Sequence, residues 1–172
     1  IKEIRKKYDK PVAILLDTKG PEIRTGDFEN GTVHVSAGQT FTLVQDKNYI
    51  GNNEKAGITF PDLYKDIQIG TVILIDDGLI KMEVTKIEGT DIICQVKNDG
   101  KISNHKGVNV PDIHINMPYM SVQDKEDILF GIREDVDYIA ASFTRTAEDV
   151  KELRKFLDEN GGSDIHIIAK IE

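Results

Sequence analysis

The most constraining feature of this chain is an unbroken apolar run, PVAILL at residues 11–16, that stops abruptly at polar residues. An apolar strand without polar alternation is typical of a parallel sheet whose two faces are both covered. The run therefore predicts a strand buried on both faces. Asp17, Thr18 and Lys19 follow it directly. A strand that ends in charged and hydroxyl groups indicates that it delivers side chains to a site.

The last third of the chain predicts further elements of the same sheet. Ser121 is followed three residues later by Asp124, which marks the capped start of an amphipathic helix. The apolar strand VDYIAASF follows, and then a second amphipathic helix that ends at Gly161-Gly162. The apolar strand DIHIIAKIE comes last. Strand, helix and strand in this order predict a right-handed parallel βαβ unit.

The middle of the chain, residues 22–118, follows a different pattern of short, alternating or β-branched segments. Turn signals separate them, and ILIDDGLIKMEV predicts a tight hairpin around Asp77-Gly78. Many short strands at close spacing predict an all-β barrel or sandwich. The segments are TVHVSA, TFTLVQ, TVILID, IKMEVTKIE, DIICQVKN and KGVNV.

The predicted fold class is therefore α/β, with part of a (β/α)8 TIM barrel and an inserted all-β barrel domain. The predicted domains are 1–20 (first part of the barrel), 21–118 (the insert) and 119–172 (second part of the barrel). An insert between a strand and the following helix lies at the carboxyl face of such a barrel, where active sites are found.

The net charge of −8 disfavours nucleic acid and anionic membranes as primary partners, because both require a basic surface. The single cysteine, Cys94, lies in the apolar run IICQV and is predicted to be a buried thiol. The sequence has no signal-like start and no apolar stretch of membrane-spanning length, which favours the cytoplasm. The chain begins at Ile1 and stops after an apolar run, and we interpret it as a piece of a longer protein.

Lys170 and Glu172 lie two residues apart on the last strand, so their side chains share one side of it. A lysine beside a carboxylate at a barrel rim suits an anionic substrate together with a divalent metal ion. A solvent-exposed ion pair at the end of a strand is an equally good interpretation of the local sequence.

The chain resembles pyruvate kinase along its whole length. Five segments carry the resemblance in the order found in that family: LLDTKGPEIRTG, IDDGLI, HKGVNVP, DVDYIAASFTR and IIAKIE. The resemblance implies phosphoryl transfer from phosphoenolpyruvate to ADP, which gives pyruvate and ATP. It also implies that Asp17 and Thr18 bind K⁺ and that Glu172 binds Mg²⁺ or Mn²⁺.

The resemblance assigns the remaining site residues to the phosphates. Arg24 and Lys106 are implied to contact nucleotide phosphates, and Lys170 to stabilise charge on the transferring phosphoryl group. Without the resemblance, Lys106 would be taken for an ordinary exposed lysine. Asp76 and Asp77 are either turn residues only or part of the nucleotide side of the site. The first interpretation follows from Asp-Gly being a preferred hairpin pair.

The resemblance further implies that the insert is a lid and that the parent protein is a cytoplasmic, glycolytic homotetramer. Other expected site residues would lie outside this chain, so the chain alone is predicted to be catalytically silent. The competing hypothesis is a binding module, in the sharpest case a nucleic-acid-binding barrel. That hypothesis requires a basic groove with stacking aromatic residues, whereas the insert is acidic and poor in aromatics.

Overall fold

The computed structural model describes residues 1–171 and divides into two compact units. The first, called here the parallel-sheet unit, combines Ile1–Pro21 with Met117–Glu172. The second, called the β unit, is Glu22–Asn116. In chain order the elements are α1 (Lys2–Lys7), β1 (Leu15–Asp17), β2 (Thr32–Val35), β3 (Thr40–Val44), β4 (Lys55–Gly57), α2 (Leu63–Asp66), β5 (Val72–Ile75), β6 (Ile80–Glu88), β7 (Asp91–Val96), β8 (Gly100–Ser103), β9 (Val108–Asn109), α3 (Val122–Arg133), β10 (Tyr138–Ala141), α4 (Ala147–Glu159) and β11 (His166–Ala169).

The parallel-sheet unit contains a three-stranded sheet in the order β1-β10-β11. Both strand pairs are parallel and α4 lies between β10 and β11 in the chain, which confirms the predicted order and the parallel pairing. Asp17 is the register partner of Ala140, which in turn is the partner of Ile168. Register partners project to the same face of a sheet, so the side chains of these three residues share one face.

The other face of this sheet packs against the two long helices. The buried cluster there includes Ile139 from β10, Ile128 from α3 and Leu153 from α4, with Leu16 and Ile167 partly buried against it. Apolar burial of this kind is the main stabilising contribution to such a layer.

The prediction that PVAILL is buried on both faces is wrong for this chain. Only Leu15 and Leu16 of the run lie in β1, and the Leu15 side chain is 48% exposed. The physical reason is that the helices cover one face only. Ile168 of β11, on the same face as Leu15, is 42% exposed as well.

Both long helices begin with a capping box, which was predicted for α3 and not for α4. Ser121 caps α3 in a capping box with Asp124, and Thr146 caps α4 in the same way with Asp149. These boxes satisfy backbone N–H groups that a helix start leaves unpaired. Gly161, just after α4, has a φ of 84°, a conformation that glycine adopts without strain.

The β unit contains a six-stranded sheet in the order β4-β3-β7-β6-β5-β9 and a separate two-stranded sheet of β2 and β8. The predicted hairpin is confirmed, since β5 and β6 pair antiparallel across Asp76, Asp77 and Gly78. All three of these residues have positive φ, a region that aspartate tolerates and glycine adopts without strain. The six predicted strand segments all form strands, whereas β4 and β8 were not predicted.

Candidate functional site

The carboxyl ends of the parallel strands bring Asp17 and Lys170 together. Asp17 is the last residue of β1, and Lys170 directly follows β11. The Nζ atom of Lys170 donates to both carboxylate oxygens of Asp17, at 2.9 Å to Oδ1 and 3.0 Å to Oδ2. The strand ladder therefore joins two of the predicted site residues in one ion pair.

Ser142, the residue after β10, completes this arrangement. Its Oγ donates to Oδ1 of Asp17 at 3.0 Å, although the side chain is buried. The hydrogen bond from Lys170, joined by the one from Ser142, holds the pKa of Asp17 below its ordinary value against the opposing effect of burial. A lone serine after an apolar strand does not reveal in the sequence that its hydroxyl contacts a distant carboxylate.

Thr18 is differently placed from its neighbour Asp17. Its side chain is buried, and its hydroxyl donates to the Ala140 carbonyl at 3.2 Å and accepts from the Ser142 N–H at 3.3 Å. The Thr18 N–H also donates to the Ala140 carbonyl, at 3.0 Å. The hydroxyl therefore ties β1 to β10.

The proposed ligand of the divalent metal, Glu172, lies outside the described residues. Within residues 1–171, no group of three or more His, Cys, Asp or Glu side chains is placed to hold a metal ion. The carboxylate at this strand end is that of Asp17, which contacts Lys170 and Ser142. A single carboxylate suits a monovalent cation such as K⁺ better than it suits a complete site for a divalent ion.

The β unit holds the other two predicted cationic residues, Arg24 and Lys106. Arg24 forms a β-bridge with Gly107, and the N–H of Thr25 donates to the Lys106 carbonyl at 2.8 Å. These backbone contacts place the segments that carry Arg24 and Lys106 side by side.

Both cations have carboxylate partners within the β unit. Arg24 Nε lies 2.7 Å from Glu22 Oε1, and this hydrogen bond raises the pKa of Arg24 above its ordinary value. Arg24 Nη1 also donates to the His105 carbonyl at 2.6 Å. Lys106 Nζ lies 2.9 Å from Asp76 Oδ1, on the hairpin turn.

The carboxylate partners were only partly foreseen. The sequence left the role of Asp76 open between a turn residue and part of the nucleotide side. The structure gives Asp76 a positive φ and also an ion pair with Lys106. These contacts leave two cations on adjacent segments, each balanced by an acidic group, in a surface region of mixed charge.

Cys94 is not part of either cluster. Its side chain is fully buried in β7, and burial raises the pKa of the thiol to about 12. The prediction of a buried thiol is confirmed, and a thiol that stays protonated is a poor nucleophile. Among residues 1–171, no helix combines the length and apolar character needed to cross a bilayer.

Fold and site together define an α/β protein whose parallel strands end in charged side chains and whose polypeptide also forms a separate β unit. Comparison with known proteins refines this class. The family model for the pyruvate kinase barrel domain matches residues 1–172. The chain belongs to the pyruvate kinase family, which confirms the resemblance that its motifs carry.

Individual relatives agree with this assignment. The chain is 51% identical over 172 residues to pyruvate kinase from Clostridium acetobutylicum, covering 100% of this chain and 36% of that protein. It is 45% identical over 174 residues to pyruvate kinase from Bacillus licheniformis, covering 100% of this chain and 30% of that protein.

A crystal structure of a pyruvate kinase from Cryptosporidium parvum matches with a TM-score of 0.87 at 38% identity. The match covers 100% of this chain and 37% of that one. The chain thus spans about a third of the length of the relatives that it matches.

Proposed function

We propose that this chain is the segment of a pyruvate kinase that joins part of the barrel to the lid. The parent enzyme transfers the phosphoryl group of phosphoenolpyruvate to ADP and releases pyruvate and ATP. The observation that carries the proposal is the Asp17–Lys170 ion pair at the carboxyl ends of parallel strands, in a chain of this family. A role in glycolysis, a cytoplasmic location and a homotetrameric assembly are carried over from the family resemblance.

Lys170 is proposed to stabilise the charge that develops on the transferring phosphoryl group. Phosphoryl transfer depends mainly on positioning and on electrostatic stabilisation, and a lysine supplies three donors and a full positive charge. The Lys170 side chain is 31% exposed, so its ammonium group is accessible while Asp17 holds its position. An ammonium group has three N–H donors, so Lys170 can meet phosphate oxygens while it keeps its contact with Asp17.

Asp17 and Thr18 are proposed to hold K⁺, Asp17 through its carboxylate and Thr18 through its main-chain carbonyl. The engaged hydroxyl of Thr18 supports this division of roles. Glu172 is proposed to bind Mg²⁺ or Mn²⁺. When bound, the divalent ion supplies positive charge that neutralises the phosphoryl oxygens, as in kinases generally.

Arg24 and Lys106 are proposed to bind the phosphates of ADP and ATP. Arg24 is paired with Glu22, and Lys106 is paired with Asp76. Binding would replace each carboxylate by a phosphate oxygen, which is also an anionic acceptor. The exchange keeps each cation paired with an anionic oxygen, so the cost of desolvating the cations is limited.

The direct test is ADP-dependent formation of pyruvate from phosphoenolpyruvate by the full-length protein, with Mg²⁺ and with or without K⁺. The proposal expects turnover that depends on both ions. An absence of turnover under all ionic conditions, in a protein whose circular dichroism shows it to be folded, would contradict it.

We also propose that the 172 residues alone are inactive. Leu15 and Ile168 leave an apolar sheet face exposed to water, which is an arrangement that favours association over a preorganised site. The purified chain should give no pyruvate above background under conditions in which the full-length protein is active. Measurable turnover by the chain would overturn this part of the proposal.

A further inference from the structure

Ser142 combines burial with a direct contact to the charged pair. Its side chain is 4% exposed, and its Oγ donates to Asp17 Oδ1 at 3.0 Å. The same oxygen accepts from Lys170 Nζ at 2.9 Å. One carboxylate oxygen is therefore shared between a buried hydroxyl and the Lys170 ammonium group.

The main chain at Ser142 is held by contacts that do not use its hydroxyl. Its N–H donates to Thr18 Oγ1 at 3.3 Å. Gly20 approaches so closely that a Cβ atom there would lie 2.6 Å from the Ser142 carbonyl oxygen. The next residue, Phe143, has a φ of 51°, an uncommon value for a bulky side chain. Ser142 is thus a rigid point from which its hydroxyl can orient a neighbour.

Asp17 requires such an orienting contact. Its side chain is 58% exposed, and the terminal torsion of an aspartate is broad, so packing alone does not fix the plane of its carboxylate. A hydrogen bond from a buried hydroxyl fixes that plane. The plane in turn places both oxygens at nearly equal distances, 2.9 and 3.0 Å, from Lys170 Nζ.

We propose that Ser142 is a positioning residue for phosphoryl transfer, which acts by holding the Asp17 carboxylate that orients Lys170. This inference rests on the function proposed above, since it gives Ser142 a part in that reaction. Ser142 does not itself meet the phosphoryl group in this proposal. It acts through Asp17, in the way that outer-shell hydrogen bonds orient the groups that do the chemistry.

The test is Ser142→Ala in the full-length protein, a change that removes the hydroxyl and leaves the backbone contacts in place. We expect kcat to fall about tenfold, the lower end of the range for lost outer-shell contacts, with the KM for ADP unchanged. The second readout needs no turnover. The rate at which acetic anhydride acylates Lys170, followed by mass spectrometry, should rise about fivefold, as expected when one hydrogen bond no longer holds the pair.

Tyr119→Phe is the structural control. It removes the hydroxyl that contacts the Ser142 carbonyl and Thr144 Oγ1, but it removes no contact to Asp17. It should lower thermal stability and leave Lys170 acylation unchanged. The proposal is overturned if Ser142→Ala leaves both kcat and acylation at the unsubstituted values. It is equally overturned if Tyr119→Phe accelerates acylation as much as Ser142→Ala does.

Failure of the proposed function would have a separate signature. The unsubstituted protein would then form no pyruvate, while acylation of Lys170 would still report whether Ser142 orients the pair. Faster acylation in Ser142→Ala alone would support the positioning contact and refute only the reaction assigned to it.

Discussion

Asp17 and Lys170 are 153 residues apart in the sequence, yet Lys170 Nζ lies within hydrogen-bond distance of both Asp17 carboxylate oxygens. The pairing follows from the strand order β1-β10-β11, because parallel strands end at the same edge of a sheet. It links a residue proposed to bind K⁺ with the residue proposed to stabilise the phosphoryl group. The ion pair therefore couples the two parts of the proposed site.

The ion pair has a direct consequence for titration. Because the hydrogen bond from Lys170 lowers the pKa of Asp17, the carboxyl should titrate below the ordinary value of 3.8. The stabilising effect of the pair is present above that value and is lost as the pH falls through the lowered pKa. Carbon-13 NMR of the Asp17 carboxyl can measure the midpoint. Lys170→Met should raise this midpoint, whereas an unchanged midpoint would show that the pair does not form in solution.

The cations of the β unit should affect nucleotide and not phosphoenolpyruvate. Arg24→Gln and Lys106→Gln each remove a charge-assisted contact, so the KM for ADP should rise about tenfold or more. The KM for phosphoenolpyruvate should stay the same in initial-rate measurements. Lys101→Gln, on β8, removes an exposed lysine from the same unit and serves as the matched control. Equal effects of all three changes would argue against specific nucleotide contacts.

Asp149 should contribute measurably to stability. It accepts hydrogen bonds from the backbone N–H groups of Arg145 and Thr146 and from the Arg145 side chain. Asp149→Ala leaves these donors without their buried acceptor, so the free energy of unfolding should fall by about 2 kcal/mol in urea titrations. Glu148→Ala, at an exposed neighbouring position, should leave that free energy nearly unchanged. A similar loss in both variants would contradict the role of the capping box.

The contribution of Asp149 should also depend on pH. Burial acts to raise its pKa, but the hydrogen bonds and charge of Arg145 outweigh it and leave the pKa below the ordinary value of 3.8. The stabilisation is therefore complete above that value and is lost as the pH falls through the lowered pKa. The difference in stability between Asp149→Ala and the unsubstituted protein should become smaller in acid.

Local signals in the sequence were sufficient for much of the fold. Ser121 with Asp124 marked the start of α3, and Asp77-Gly78 marked the hairpin, because capping and turn chemistry depend on neighbouring residues only. The exposure of Leu15 was not predictable in this way. An apolar run indicates what a strand can bury, whereas the surrounding chain decides what is covered.

The candidate site was predictable as a set of residue types and not as a set of contacts. Asp17 and Lys170 were each recognised from strand-end patterns and family motifs, but their direct pairing depends on sheet order and register. The contact of Ser142 with Asp17 and that of Asp76 with Lys106 likewise depend on the folded structure. Long-range partners of this kind leave no spacing signal in a single sequence.

The central claim is that Lys170 stabilises the transferring phosphoryl group, and Lys170→Met in the full-length protein tests it most directly. We predict that kcat for ADP-dependent pyruvate formation falls about 100- to 1,000-fold, as expected when one preorganised charge donor is lost. The dissociation constant for ADP should be unchanged, and Lys155→Met, at an exposed position of α4, should retain full activity. A Lys170→Met protein with the kcat of the unsubstituted enzyme would contradict the account.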